Sequence, residues 1–252
     1  MKIRPGVELA SLTDVGCIRA NNEDSYSYWE PDDDTSFTRV GRLAVIADGM
    51  GGHEGGQIAS RMAVEGVAEG YASSTQSDPQ KRLLHAFAHA HHQIRHRGEI
   101  SAALNGMGTT CTAFALIDKL VYFAHVGDSR LYLLESRKLH QLSHDHTLVA
   151  RWIESGTLRP EEADSHPQKH VLTAALGVTE DIQPDFPTLP IPVNGGNVLL
   201  LCTDGLWGQV KDVELQQILT AHSPARACRE LVELANHRGG PDNITLQILR
   251  VI

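Results

Sequence analysis

Between residues 108 and 143 four apolar segments, TTCTAFALI, LVYFAHVGD, SRLYLLES and KLHQLS, follow one another with only turn-length gaps. Parallel neighbours would each need a crossover of a dozen or more residues, so a run this dense is expected to form successive antiparallel hairpins. The first fifty residues carry the same signal in VELASLTD, DSYSYW and RLAVIAD, with the acidic stretch EPDDDTS expected as a solvated hairpin loop. Two helical patterns separate these blocks, over 57–72 and over 79–97, the second opened by Asp78 and Pro79. A strand (NVLLLC), two helices near 212–221 and 224–236, and a last strand (NITLQILRVI) complete the chain. Strands, then helices, then strands and helices again predict an α+β sandwich instead of a βαβ repeat.

One segment breaks this rhythm. Residues 144–170 are polar, rich in histidine and interrupted by Gly156, Pro160 and Pro167, which reads as a flap leaving the core. No internal repeat, low-complexity tract or Pro/Ser-rich linker divides the 252 residues, so residues 1–252 are expected as a single domain.

Charge and cysteine usage narrow the function. A formal charge of −9 lacks the basic footprint that nucleic acid requires. The opening MKIRPGVELASL has no apolar signal core, and the longest purely apolar run, near 198–202, is too short to cross a bilayer. The chain is therefore expected to be cytoplasmic, away from membranes, and monomeric. Its four cysteines, Cys17, Cys111, Cys202 and Cys228, are scattered without a C-x-x-C pair, as suits reduced thiols better than disulfides or zinc.

An aspartate recurs where an apolar strand meets a tight turn: Asp48 before Gly49, Asp128 after Gly127, Asp204 before Gly205, Asp242 before the last strand, and Asp24 opening the second. Any one of these reads as a turn former or helix cap. Gathered together they conflict, because two carboxylates about 4 Å apart repel by roughly 4 kcal/mol at an effective dielectric near 20. Protonation or a cation relieves this, and carboxylates with backbone carbonyls are the ligands of hard ions such as Mg²⁺ and Mn²⁺. Two such ions would bridge the aspartates to a phosphate and activate water for in-line attack. Arg19, five residues before Asp24, is the candidate to hold phosphate oxygens bidentately.

Other phosphate chemistries fail on the residues. A dinucleotide fingerprint started at Gly49 and Gly51 meets Glu54 at its third glycine, and no P-loop lysine follows. A cysteine phosphatase needs an arginine six positions after its cysteine, where this chain has Glu23, Ile117, Gly208 and Leu234. The D-x-D-T of 32–35 follows Trp-Glu-Pro and no buried strand.

Eight segments in order, TDVGCIRANNEDS, IADGMGGHEGG, GMGTT, HVGDSRLYLL, LSHDHTLV, VLTAALG, CTDGLW and GGPDNIT, resemble the protein phosphatase 2C family in its compact bacterial form. The resemblance implies an αββα sandwich, two packed antiparallel sheets flanked by helices, with a binuclear Mn²⁺ or Mg²⁺ centre at one edge. It implies that Asp48 bridges both ions, the Gly49 carbonyl binds one, and Asp204 and Asp242 hold the other. Glu23 and Asp24 would contact the ions' waters, Arg19 would grip the phosphate, and Asp128 with Asp204 would form a third, weaker site. Catalysis would thus rest on Arg19, Asp24 and Asp48. The implied activity is hydrolysis of phosphoserine and phosphothreonine on proteins, reversing a bacterial Ser/Thr kinase, with the flap helping to choose substrates.

Three positions depart from the family pattern. Met50 stands where animal relatives carry a histidine acid, leaving His53 or an ion's water as proton donor; Gly208 replaces a frequent acidic residue, which weakens the third site; Ala174 replaces a frequent arginine. The alternative from another class is a non-catalytic phosphoprotein-binding module on the same fold, which would be expected to lose metal ligands, whereas Asp48, Asp204 and Asp242 are all present. Outside the pattern, His85, His89, His92 and His96 step by four, three and four along one helix face, a solvated face or a secondary metal or pH-responsive patch.

Overall fold

The structure, a computed structural model, describes residues 3–51, 55–163 and 166–252. In chain order its strands are β1 (Val7–Asp14), β2 (Asp24–Trp29), β3 (Arg42–Met50), β4 (Gly108–Thr109), β5 (Cys111–Ile117), β6 (Leu120–Val126), β7 (Arg130–Glu135), β8 (Lys138–Gln141), β9 (Ile191–Pro192), β10 (Val198–Cys202) and β11 (Ile244–Val251). The helices are α1 (Asp34–Val40), α2 (Gly55–Ser73), α3 (Pro79–Glu99), α4 (Leu148–Glu154), α5 (Pro160–Ala163), α6 (Asp204–Trp207), α7 (Asp212–Ala221) and α8 (Pro224–His237). One sheet runs β1, β11, β10, β7, β8; the other runs β2, β3, β5, β6, β9, with β4 paired to β3. The strand pairings are antiparallel.

The period-two geometry of β3 explains the layers. Leu43, Val45 and Ala47 face α2 and α3, while Ala44 and Ile46 face the other sheet, so LAVIA reads as a continuous apolar run because both its faces are covered. In β7, Leu131 and Leu133 meet Ala44 and Ile46 in the same inter-sheet core. Tyr132 and Leu134 turn outward into a third core with Leu215 of α7 and Leu231 of α8. Three cores make four layers, helices, sheet, sheet, helices, which is the sandwich that the resemblance implied. One buried polar side chain ties the sheets: Gln247 Nε2 donates to the Val45 carbonyl at 2.7 Å.

Two expectations are corrected. EPDDDTS does not form a plain hairpin loop, because Asp33 caps α1 by accepting from the Ser36 amide at 2.8 Å. The strands of 108–143 are not one series of hairpins either. β5 and β6 pair, and β7 and β8 pair, but the chain crosses from one sheet to the other between β6 and β7. Gly127 makes that crossing at φ +111°, where a Cβ would come within 2.5 Å of the Thr110 side chain. The segment 144–170 holds α4 and α5, and the four cysteines are free, as expected. On α3, His85, His92 and His96 are exposed and His89 half-exposed, while His91 is buried and accepts from the Gly177 amide at 3.1 Å.

Candidate metal centre

Strand register sets the heart of the site. Asp24, first in β2, lies directly across the antiparallel ladder from Asp48 of β3, a like-charge pair at a position where opposite charge or apolar contact is the stabilising choice. The remaining aspartates stand next to strand ends of the two sheets. Asp204 begins α6 just beyond β10, Asp242 precedes β11, and Asp128 sits in the turn that crosses between sheets.

Hydrogen bonds hold Asp48, Asp24, Asp128 and the loop that carries Glu23. The Asp48 amide donates to Thr110 Oγ1 at 2.9 Å, and its carbonyl accepts from the Thr110 amide at 2.9 Å and from Thr109 Oγ1 at 2.8 Å. Thr203 Oγ1 donates to Asp24 Oδ2 at 2.8 Å. Asn243 holds the loop between β1 and β2: its Nδ2 donates to the carbonyls of Val15 and Asn21, and its Oδ1 accepts from the Glu23 amide at 2.8 Å. The Trp207 indole N–H donates to the Asp128 carbonyl at 2.9 Å, and the Arg130 guanidinium lies 3.6 Å over the Trp207 ring while forming paired bonds to Asp145.

Gly49 is required for a reason beyond an approachable carbonyl. A Cβ there would stand 2.1 Å from the Gly56 carbonyl oxygen and 2.7 Å from that of Glu23, so the end of β3 is pressed between the start of α2 and the β1–β2 loop. Gly56 is equally confined, since a Cβ would meet Glu23 Oε2 at 2.0 Å.

The electrostatics identify the cluster. Loss of hydration, followed by the charges of Asp24, Asp204, Asp128 and Asp242, pushes Asp48 well above the usual carboxylate range. Burial, with Asp204 and Asp242 adding to it, lifts Asp24 to about 7 against the bonds from Thr245 and Thr203 that lower it. Burial and then Asp204 raise Asp128 as well. Asp24 Oδ1 and Asp204 Oδ1 are buried with no hydrogen-bond partner among the described residues, a costly state for carboxylate oxygens. Hard-cation chemistry fits this convergence of carboxylates. The set is a convergence of charge, not a finished cage: among the described residues no three His, Cys, Asp or Glu groups are gathered closely enough to hold one ion as they stand.

The eight residues that the sequence offered to hold the ions or the phosphate are all described. Asp24, Asp48, Asp128, Asp204 and Asp242 form the electrostatic cluster, with Gly49 beside it and Glu23 on the adjoining loop. Arg19 reaches the rim, but its guanidinium is bonded to Asp242 Oδ2 at 2.7 Å, and this contact raises its already high pKa. His53 lies outside the described residues. Sequence reasoning passed over His170, whose Nδ1 is 3.4 Å from Asp204 Oδ2, and over the anchoring roles of Thr203, Asn243 and Trp207. Trp207 and Asp145 stood inside quoted motifs, but nothing along the chain signalled that Arg130 joins them.

Comparison with known proteins identifies the family and the fold. A family model described as Protein phosphatase 2C matches residues 19–239. Protein phosphatase PhpP of Streptococcus pneumoniae is 40% identical over 248 residues, covering 96% of this chain and 97% of its own. The solved serine/threonine phosphatase of S. agalactiae matches with a TM-score of 0.88 at 34% identity, covering 98% of this chain and 100% of its own. The catalytic domain of the serine/threonine phosphatase PstP, solved in complex with two manganese ions, matches with a TM-score of 0.84 at 32% identity, covering 98% of this chain and 99% of its own. Matched by the family model over most of its length, the chain belongs to the protein phosphatase 2C family and is an enzyme of the protein-serine/threonine phosphatase class.

Proposed function

We propose that this chain, acting as one catalytic domain over residues 1–252, hydrolyses phosphoserine and phosphothreonine on proteins by direct attack of water at a binuclear Mn²⁺ or Mg²⁺ centre. The observation that carries the reading is the convergence of five aspartates with two buried, unpartnered carboxylate oxygens. The manganese complex of the related PstP domain supports the choice of ion. Asp48, the Gly49 carbonyl, Asp204 and Asp242 would hold two ions, Glu23 and Asp24 would act through waters, and Asp128 with Asp204 would hold a weaker third. When bound, the ions neutralise charge and acidify water.

The chain's own residues do the rest. Asp24, kept from ionising fully near neutral pH by its burial, is placed to hold or move a proton beside Asp48. Arg19 must leave Asp242 to grip a phosphate, a move its exposed position allows. The implied partners are a Ser/Thr kinase and its substrates, with the chain acting as a cytoplasmic monomer. Among the described residues no helix is long and apolar enough to cross a membrane.

The test is hydrolysis of p-nitrophenyl phosphate and of phosphoserine, phosphothreonine and phosphotyrosine peptides. Activity with Mn²⁺ that stops in EDTA is expected, on the first two peptide types. Full activity in EDTA, or none with any divalent ion, overturns the reading.

A further inference from the structure

Between the flap and the α6–α7 region lies a cavity of about 670 Å³, separate from the carboxylate cluster but adjoining it. Its walls include Val149 and Ile153 of α4, Trp207 of α6 and Val210, and Lys169 and Lys211 also line it. Both lysines are exposed, and among the described residues neither is in an ion pair. Two features join the cavity to the catalytic region. His170, which lines it, is 3.4 Å from Asp204, and Trp207 bonds the Asp128 carbonyl. One wall is rigid, because the Trp207 ring is covered by Arg130, itself pinned by Asp145.

Charge distinguishes this cavity from its surroundings. The Asp145 carboxylate in its lining is already matched by Arg130, with Oδ2 to NH2 at 2.6 Å. The other acidic lining group, Asp212, accepts from the Tyr132 hydroxyl at 3.3 Å and sits in the first turn of α7, where a helix favours negative charge. That leaves Lys169 and Lys211 as cations with no ion pair among the described residues, the Glu214 carboxylate near Lys211 being bonded to Arg238, on a chain whose formal charge is −9. A larger cavity of about 870 Å³ next to α3 has the opposite character, with Glu154, Asp181 and Asp185 in its lining against Arg151.

Resting on the phosphatase reading, we infer that the cavity under the flap is a specificity subsite for a glutamate flanking the phosphoresidue. Its aliphatic stem lies along Val149, Ile153 and the Trp207 ring, and its carboxylate meets Lys169 and Lys211. An amphipathic occupant suits an apolar wall with a cationic rim. Exposed ion pairs are individually weak, so the two together give about a three- to tenfold preference, expressed in KM.

The experiment compares phosphothreonine peptides in which one glutamate is walked along either side of the phosphothreonine, each paired with its glutamine twin, using the full chain with Mn²⁺. One position is expected where the glutamate peptide has the lower KM at equal kcat, with the advantage shrinking as salt rises. In the K169Q/K211Q double variant that advantage disappears, while hydrolysis of p-nitrophenyl phosphate is unchanged. In K169E/K211E the preference inverts toward a lysine at the same position. Equal rates for every glutamate and glutamine pair, or equal losses on both peptides in the double variants, overturn the subsite. Failure of the parent chain to hydrolyse p-nitrophenyl phosphate overturns the phosphatase reading itself.

Discussion

Replacing Asp24 with asparagine should stabilise the protein once divalent ions are removed, although the aspartate is part of the proposed catalytic apparatus. In the folded chain Asp24 titrates near 7, raised from an ordinary value of 3.8. For an acid this means that the folded state binds the proton more tightly than the unfolded state. Stability is therefore fully present below about pH 4, declines as pH rises from there to about 7, and stays low above that. A rise of about 3 units at 1.36 kcal/mol each sets an upper value of about 4 kcal/mol. Some of the rise is shared with Asp204 and Asp242, which remain in the variant, so about 2 to 4 kcal/mol is expected. At ~3 °C per kcal/mol for a chain of this size, the gain is about 6 to 12 °C in Tm.

Asparagine keeps an oxygen to accept from Thr203, so the anchoring bond survives the change. The assay is thermal unfolding of both proteins in EDTA at a series of pH values. The two curves should coincide near pH 4 and diverge up to pH 7. Added Mn²⁺ at pH 8 should stabilise the parent more than the variant, narrowing or reversing the gap. A variant less stable than the parent at pH 8 in EDTA, or a gap that does not change with pH, would refute the claim that Asp24 is strained by burial and like charge.

Three further substitutions probe the rest of the site. Asp204→Asn should lower kcat at least about 100-fold while circular dichroism shows an intact fold, because it removes a carboxylate from the centre of the cluster. Arg19→Ala should raise KM for a phosphopeptide about 10-fold or more, with Arg19→Lys recovering only part of the loss, since a lysine cannot present the planar fork; complete recovery by lysine would argue against a bidentate role. Gly49→Ala forces a Cβ onto the Gly56 carbonyl and should cost more than about 3 kcal/mol in urea unfolding, whereas a loss below 1 kcal/mol would mean the backbone there yields easily.

Chain ends and alternation carried most of the fold into the sequence. Each of the five aspartates was legible because it stood where an apolar run started or stopped, and the sandwich brings such run ends of both sheets together. The crossing between β6 and β7 was not legible: both sheets use the same apolar segments, and a two-sided strand looks alike in either. Partners far along the chain were invisible for a different reason. Thr203 meets Asp24 across 179 positions and Asn243 meets Val15 across 228, and neither bond leaves a periodic trace in the sequence. Gly49 was read for its carbonyl, whereas the nearest constraint is a collision with two other backbone segments.

The same anchoring that the sequence conceals explains why the carboxylates remain together. A surface cluster of like charges relaxes by moving side chains into water, and the mutual repulsion fades. Here the Asp48 backbone is bonded on both sides by Thr109 and Thr110, Asp24 is held by Thr203, and the loop beside them is held by Asn243. Thr110, Thr203 and Asn243 stand next to the ends of β5, β10 and β11, strands whose two faces fill different apolar cores, so shifting one would disturb packing on two sides at once. Relaxation being closed off, only two routes lower the energy: a proton, as the raised values of Asp24 and Asp48 record, or a cation. Protons and cations compete for the same cluster of carboxylates, so cation affinity must fall as pH drops, while the metal-free protein recovers stability. Fold rigidity and ion affinity are thus linked, and loosening an anchor such as Thr203 should weaken manganese binding even where every carboxylate is retained.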